Sequence, residues 1–352
     1  DTMNLATWIE RNSRTFGTHP ALAEGHRVHA DWATYARTTA AVAGGLREQF
    51  GLVPGDRAMM VVKDCPSFFY VFWGAIKAGL VPIPPNTLLR SPDYAYMFED
   101  SGCGLVVYSA EFAVEIDAAL LITPVKALTV DRFLAELDKA SPQLEARLAA
   151  PTDDCFWLYS SGSTGRPKGA VHLQRDMVVT SELYGVRVLN VGESDVSYSA
   201  AKLFFAYGLG NAMTFPLWTG STAILDDRRP TPDLTFENIE KFKPTLYFGV
   251  PTLYAAQLAA LDGKHRGAAV VAGNQDHVGM RLGDAGRHRA HADFGHELDG
   301  NARLLVAVLE VVDQLREILD GVDVVVRRRR DKSNTGSGMP SLCHPRVDLV
   351  TW

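Results

Sequence analysis

Short apolar runs alternate with longer stretches whose apolar positions recur at helical spacing through most of this chain. The short runs predict strands at Arg27–Asp31, Arg57–Val62, Leu80–Ile83, Gly104–Tyr108, Cys155–Tyr159, Ala170–Leu173, Ser221–Leu225 and Thr245–Val250. The helical spacings predict helices at Leu5–Arg11, capped by Asn4, and at Trp32–Gln49, Ser67–Lys77 and Tyr94–Asp100. Further on they predict Arg175–Tyr184, Thr235–Phe242 and Thr252–Leu261, with Asn211–Trp218 a helix or a buried segment. Pro66 opens one helix at a position where its missing N–H costs nothing, and Gly79 ends it. The strand before it and the strand after it make a β–α–β unit, which argues for parallel pairing. Phe112–Ala150 is weakly patterned, with its best helix at Val130–Lys139. Ser194–Ala200 reads only as an approach to the segment after it.

Composition narrows the class. The chain has 352 residues, 47% of them hydrophobic and 22% charged, which fits a globular protein of one large or two smaller domains. A net charge of −6 argues against a nucleic-acid surface. The longest apolar run, Phe68–Ile76, is too short to span a bilayer, and the first residues lack a basic-then-apolar leader. Cys65, Cys103, Cys155 and Cys343 have no paired spacing, so buried thiols in a reducing cytoplasm are expected.

Between two of the strands lies Tyr159–Gly169, YSSGSTGRPKG. Its glycines permit positive φ and close approach of the backbone to a ligand. Successive N–H groups in such a turn make a concave nest for an anion. Ser160, Ser161, Ser163 and Thr164 add hydroxyls, and Lys168 adds a mobile point charge suited to phosphate. The Walker spacing GxxxxGK[ST] is absent, and a strand follows the lysine where a Walker loop has a helix. The bland alternative is a flexible Gly/Ser hairpin loop. A second stretch, Ala200–Gly210 (AAKLFFAYGLG), sets aromatics beside small residues, the mix of a small-molecule pocket or of a tightly packed core segment.

YSSGSTGRPKG resembles the signature of the acyl-adenylate-forming (AMP-binding) enzymes, and AAKLFFAYGLG resembles their benzoate–CoA ligase branch. The resemblance implies an α/β fold, the large N-terminal domain of these enzymes, with stacked αβ subdomains, parallel-rich sheets and a smaller β element. It implies that ATP and an aromatic carboxylic acid react to an acyl-adenylate, from which coenzyme A takes the acyl group. By resemblance Ser160, Ser161, Gly162, Ser163, Thr164, Gly165 and Lys168 hold the phosphates, with Thr164 and Lys168 the catalytic pair and Mg²⁺ sharing the charge. Phe205, Ala206, Tyr207 and Gly208 line the acid's ring, and Lys202 is suited to its carboxylate side. A homodimer is left open.

The resemblance covers residues 1–263. Beyond it, residues 264–352 hold two aromatics against 31 before, and six of the ten histidines. The family's acid for magnesium, its ribose-binding Asp and its C-terminal catalytic Lys have no counterpart there. The chain as written is therefore expected to be a poor or dead catalyst. A frameshifted reading and an unrelated, partly disordered extension both account for the tail. In it Ala302–Leu319 predicts a helix, Arg327–Arg330 a solvated basic run, and Ser333–Ser341 disorder. His288, His291 and His296 do not share one helical face, so no metal site is expected. The alternative function is a non-catalytic protein that uses the fold to bind a nucleotide or aryl acid, or as an interaction surface.

Overall fold

A computed structural model describes residues 2–25, 27–137, 141–143, 145–160, 166–261 and 278–281. The predicted features at Ala302–Leu319, Arg327–Arg330, Ser333–Ser341 and the three histidines lie outside the described residues, as do Cys343 and residues 161–165.

The most apolar stretch forms the innermost helix. α3 (Pro66–Ala78) carries Phe68 and Phe72 on one face and Phe69, Val71 and Trp73 around the rest, all buried. A helix apolar all round must be covered on all sides, and each such ring contributes about 1.5–3 kcal/mol through burial. Pro66 stands at its first turn, and Gly79 closes it at φ 83°, a left-handed cap that suits glycine. α2 (Trp32–Glu48) lies against it. The close crossing depends on Gly74, where an added Cβ would come within 2.3 Å of Val42 Cγ1.

Among the described residues the strands form a six-stranded sheet, a four-stranded sheet and a two-stranded hairpin. In the four-stranded sheet, β3 (Arg57–Val61) pairs in parallel with β4 (Val81–Ile83) and β5 (Leu105–Tyr108). The pairing of β3 with β4 around α3 confirms the expected β–α–β unit. The sheet ends in β6 (Ala127–Thr129). α4 (Ser91–Ser101) and α5 (Ala113–Ile122) cover one side, with Tyr94, Met97 and Phe98 buried.

The larger sheet has the parallel strands β1 (Pro20–Glu24), β10 (Thr222–Leu225), β9 (Val196–Ser199) and β11 (Leu246–Gly249) at its centre. β2 (Arg27–Asp31) and β12 (Val278–Arg281) run antiparallel at its two edges. The tail thus supplies one strand that its sequence pattern does not announce. α10 (Pro232–Phe242), capped by Thr231 at the N–H of Leu234, joins β10 to β11.

Three local expectations change. The first helix is α1 (Thr7–Phe16); Asn4 lies before it and ties distant segments together, donating to Ile76 O and Arg147 O. The predicted helix at Arg175–Tyr184 is α7 (Asp176–Thr180), running on as a π-helical turn through Ser181–Val186. The strands β1, β6 and β9 and the helix α5 were unmarked in the sequence pattern.

Candidate functional site

The glycine- and serine-rich motif closes a hairpin. β7 (Asp154–Ser160) and β8 (Lys168–Leu173) pair antiparallel, with Tyr159 opposite Gly169 and Ser160 opposite Lys168 as the last pair. This is the strand–loop–strand arrangement the sequence predicts. Ser160 and Lys168 are both exposed at its mouth. Ser161, Gly162, Ser163, Thr164 and Gly165 lie outside the described residues. Inside the hairpin Cys155 is buried, which drives its thiol pKa well above the usual value and leaves it no nucleophile.

Both ends of the loop meet α4. Tyr159 Oη donates to Asp100 Oδ2 at 2.6 Å. Burial, and then this hydrogen bond, push the Tyr159 phenol upward, so it stays a donor. The Arg166 guanidinium lies 5.2 Å from the centre of the Tyr96 ring, within cation–π range. Gly169 gives the Tyr159 ring room: a Cβ there would stand 3.4 Å from Tyr159 Cζ and 3.2 Å from Trp157 Cε3. A cleft of 360 Å³ opens beside this latch, lined by Pro92, Asp93, Tyr96, Glu99, Arg166 and Pro167 among others.

The second motif leaves β9 at its C-terminal end. In open α/β sheets ligands gather outside the carboxyl ends of parallel strands. Three segments converge there: the stretch after Ser199, the turn at Asp226–Arg228 after β10, and Gly249 at the end of β11. Phe204 is buried, while Phe205, tilted against it at 4.5 Å, is 51% exposed. α8 (Ala206–Leu209) follows, and Tyr207 Oη donates to Gly249 O at 3.2 Å while its ring stands edge-on to Phe248. Ala206 is half-buried. Gly208 has a specific reason to be glycine: a Cβ there would lie 2.2 Å from Lys202 O. Its bare α-carbon accommodates a neighbouring peptide, where the sequence suggested room for a ring.

Lys202 also has a different position from the expected one. Its ammonium donates to Asp226 O and Arg228 O, both at 2.8 Å, and lies 3.9 Å from Asp64 Oδ2. It straps the turn after β10 to the motif. Asp64, just past the end of β3, is buried, and both its carboxylate oxygens accept the Leu203 N–H, at 3.2 and 3.3 Å. Burial raises its pKa to about 6 against the opposing pull of Lys202. Nearby, Lys63 bridges Glu111 and Asp227, and its pKa is raised by those two hydrogen bonds. Burial also pushes the Asp226 carboxyl up, but hydrogen bonds from Arg228 and Asn238 outweigh it and hold the group below its usual range.

The two motifs share one apolar core. Phe156 and Leu158 of the hairpin belong to the same buried cluster as Leu203 and Leu209 of the second motif. Sequence reasoning missed Asp64, Asp100 and Tyr96. The one available signal for Asp64 was its place directly after a buried parallel strand. No group of three or more His, Cys, Asp or Glu among the described residues could hold a metal ion. No helix among them is long and apolar enough to cross a membrane.

With the geometry established, three comparisons bear on it. A model of the family "AMP-binding enzyme" matches residues 9–308, continuing past the point where the recognisable motifs end. The chain is 48% identical over 225 residues to a benzoate–CoA ligase of Thauera aromatica, covering 62% of this chain and 42% of that protein. It is 41% identical over 236 residues to a 4-hydroxybenzoate–CoA/benzoate–CoA ligase of Rhodopseudomonas palustris, covering 63% and 43%. The fold is similar to the crystal structure of a benzoate CoA ligase from Burkholderia xenovorans, with TM-score 0.68, 35% identity and coverage of 73% and 52%. It is equally similar to an anthranilate CoA ligase in complex with anthranoyl-AMP, with TM-score 0.70 and 29% identity, covering 73% and 51%. The chain spans less than half the length of these two curated relatives.

Proposed function

This chain belongs to the AMP-binding enzyme family, and we propose that within it the chain binds ATP and a benzoate-type acid for an aryl-CoA ligase reaction. The observation that carries this reading is the hairpin: the pairing of Ser160 with Lys168 brings the two ends of the YSSGSTGRPKG stretch together and sets an exposed lysine at its mouth. Hydroxyls, backbone N–H groups and a lysine in one short stretch suit a polyphosphate.

In the reaction a carboxylate oxygen of the acid attacks the α-phosphorus of ATP. An O–P bond forms, the bond to the β-phosphate bridge breaks, and pyrophosphate leaves with its electron pair. The thiolate of coenzyme A then attacks the acyl carbon, and AMP departs. Ser160, Ser161, Gly162, Ser163, Thr164, Gly165 and Lys168 would hold the β- and γ-phosphates, with Thr164 and Lys168 neutralising charge as it develops. Phe205, Ala206 and Tyr207 would form the wall that orients the acid's ring, with Gly208 seating the Lys202 carbonyl behind that wall, bringing the carboxylate into line with the phosphorus. Relatives whose names specify benzoate and hydroxybenzoate support a small aromatic acid. Magnesium, which such sites hold largely through the phosphates themselves, would share their negative charge beside Thr164 and Lys168. A cytoplasmic setting suits the free, buried thiols of Cys65, Cys103 and Cys155.

The test is calorimetric titration of the whole chain with ATP and with benzoate, alongside benzoate-dependent pyrophosphate release. Binding of both with release far below an ordinary ligase rate is expected. Absence of ATP binding would overturn the reading. Binding of both with no release at all would favour the alternative of a non-catalytic binding protein.

A further inference from the structure

We propose that Asp64 is the positioning residue of the acid-binding wall, acting through a single peptide group. The proposal rests on the reading that Phe205–Gly208 receives the acid. The peptide in question joins Lys202 to Leu203. Its N–H is held by both oxygens of the buried Asp64 carboxylate. Its C=O, on the opposite edge of the same rigid plane, accepts the N–H of Phe205 at 3.0 Å. The same carbonyl oxygen occupies the space a side chain would need at Gly208. One planar unit therefore touches the segment at two points, and the rotation of that unit is set by Asp64.

Three observations make this more than ordinary packing. Asp64 comes from the end of β3 in the smaller sheet, 139 residues away, so it fixes the segment against a separate layer. A carboxylate here is an expensive choice, since an apolar residue would avoid the burial of charge. The ammonium of Lys202, flanking the same peptide, is directed to Asp226 O, Arg228 O and Asp64. Thus the residue beside the wall carries the counter-charge and straps the turn after β10, while the wall's own members stay uncharged. Preorganisation of this kind lowers the ordering cost of binding and fixes orientation.

The test compares Asp64→Ala and Asp64→Asn in the full chain, with benzoate and ATP titrated separately. Asp64→Asn keeps a side-chain oxygen to accept the Leu203 N–H. Loss of a buried charged acceptor predicts that Asp64→Ala weakens benzoate binding about tenfold or more, leaves ATP binding within about twofold, and is largely rescued by Asp64→Asn. Equal weakening of both ligands, unchanged benzoate binding, or failure of the Asn variant to rescue would each overturn the proposal. Hydrogen exchange over residues 203–209 without ligand separates this proposal from the functional reading. Faster exchange there in Asp64→Ala supports the positioning role even if the unmodified chain binds no benzoate, a result that would sink only the assignment of the acid. Unchanged exchange would sink the positioning role whatever the ligand does.

Discussion

The Tyr159 hydroxyl donates to the Asp100 carboxylate at 2.6 Å, joining the β7–β8 hairpin to α4 across 59 residues of chain. One helical turn earlier, Tyr96 meets Arg166 from the other end of the loop. Residues four apart lie on one helix face, so α4 grips both ends at once. α4 is itself anchored: Tyr94 Oη donates to Asn86 O, and the N–H of Ser91 donates to Glu115. Removal of the Tyr159–Asp100 bond in Tyr159→Phe or Asp100→Asn should therefore loosen the loop. A hydrogen bond to a charged group contributes about 1.5–3 kcal/mol. ATP affinity should fall about fivefold or more, with benzoate affinity held within about twofold. Paired titrations of the two variants check this, and an unchanged ATP affinity in both would remove the latch from the account.

Lys168 is the exposed member of the last hairpin pair, opposite Ser160. Its removal should leave the core untouched, because no buried contact is lost. Lys168→Ala should weaken ATP binding about tenfold or more, as expected for a lost charge contact to phosphate. The melting temperature should move little. A variant that binds ATP as well as the parent, or that melts much earlier, would deny the lysine its phosphate role.

Gly208 supplies a sharper structural test. The Cβ of alanine would meet backbone, Lys202 O at 2.2 Å and Ala201 O at 2.6 Å, which cannot swing aside as a side-chain tip can. Overpacking of this kind costs about 1–3 kcal/mol. Gly208→Ala should lower the urea midpoint by a matching amount and weaken benzoate more than ATP. Retained stability together with enhanced discrimination between acids would instead mean that Gly208 faces an open pocket.

The elements written most plainly in the sequence were those whose signal is local. α3 was legible because Pro66, an unbroken apolar run and Gly79 all lie within it. The hairpin was legible because two apolar runs flank a glycine-rich turn. β1 was not: it begins with a proline, and its parallel partner β10 lies some 200 residues on. α5 was obscured because Val114, Leu121 and Ile122 are exposed, so its apolar residues draw no clean stripe. Lys202 looked like a charge for the substrate because its acceptors, Asp64 and the carbonyls of Asp226 and Arg228, come from elsewhere in the chain. Gly208 looked like open space because nothing in a sequence shows where a neighbouring carbonyl will lie.

Asp64 should also leave a signature in the pH dependence of stability. Its pKa in the fold is raised to about 6, chiefly by burial, from an ordinary value of 3.8. A carboxyl raised on folding binds its proton more tightly in the native state. Its contribution is therefore most favourable below the unfolded value and is lost as pH rises through about 6. The shift corresponds to roughly 3 kcal/mol at most across that window. Asp64→Asn has no such proton to lose. Urea unfolding of the two proteins between pH 4 and pH 7 should show the Asn variant gaining on the parent as pH rises, with the difference levelling off above about pH 6.5. The fold would then be carrying an ionised carboxylate that costs it stability near neutrality, the trade expected where a charged group is kept to hold a binding segment in place. A flat difference between the two proteins would mean that Lys202 already compensates the buried charge in full.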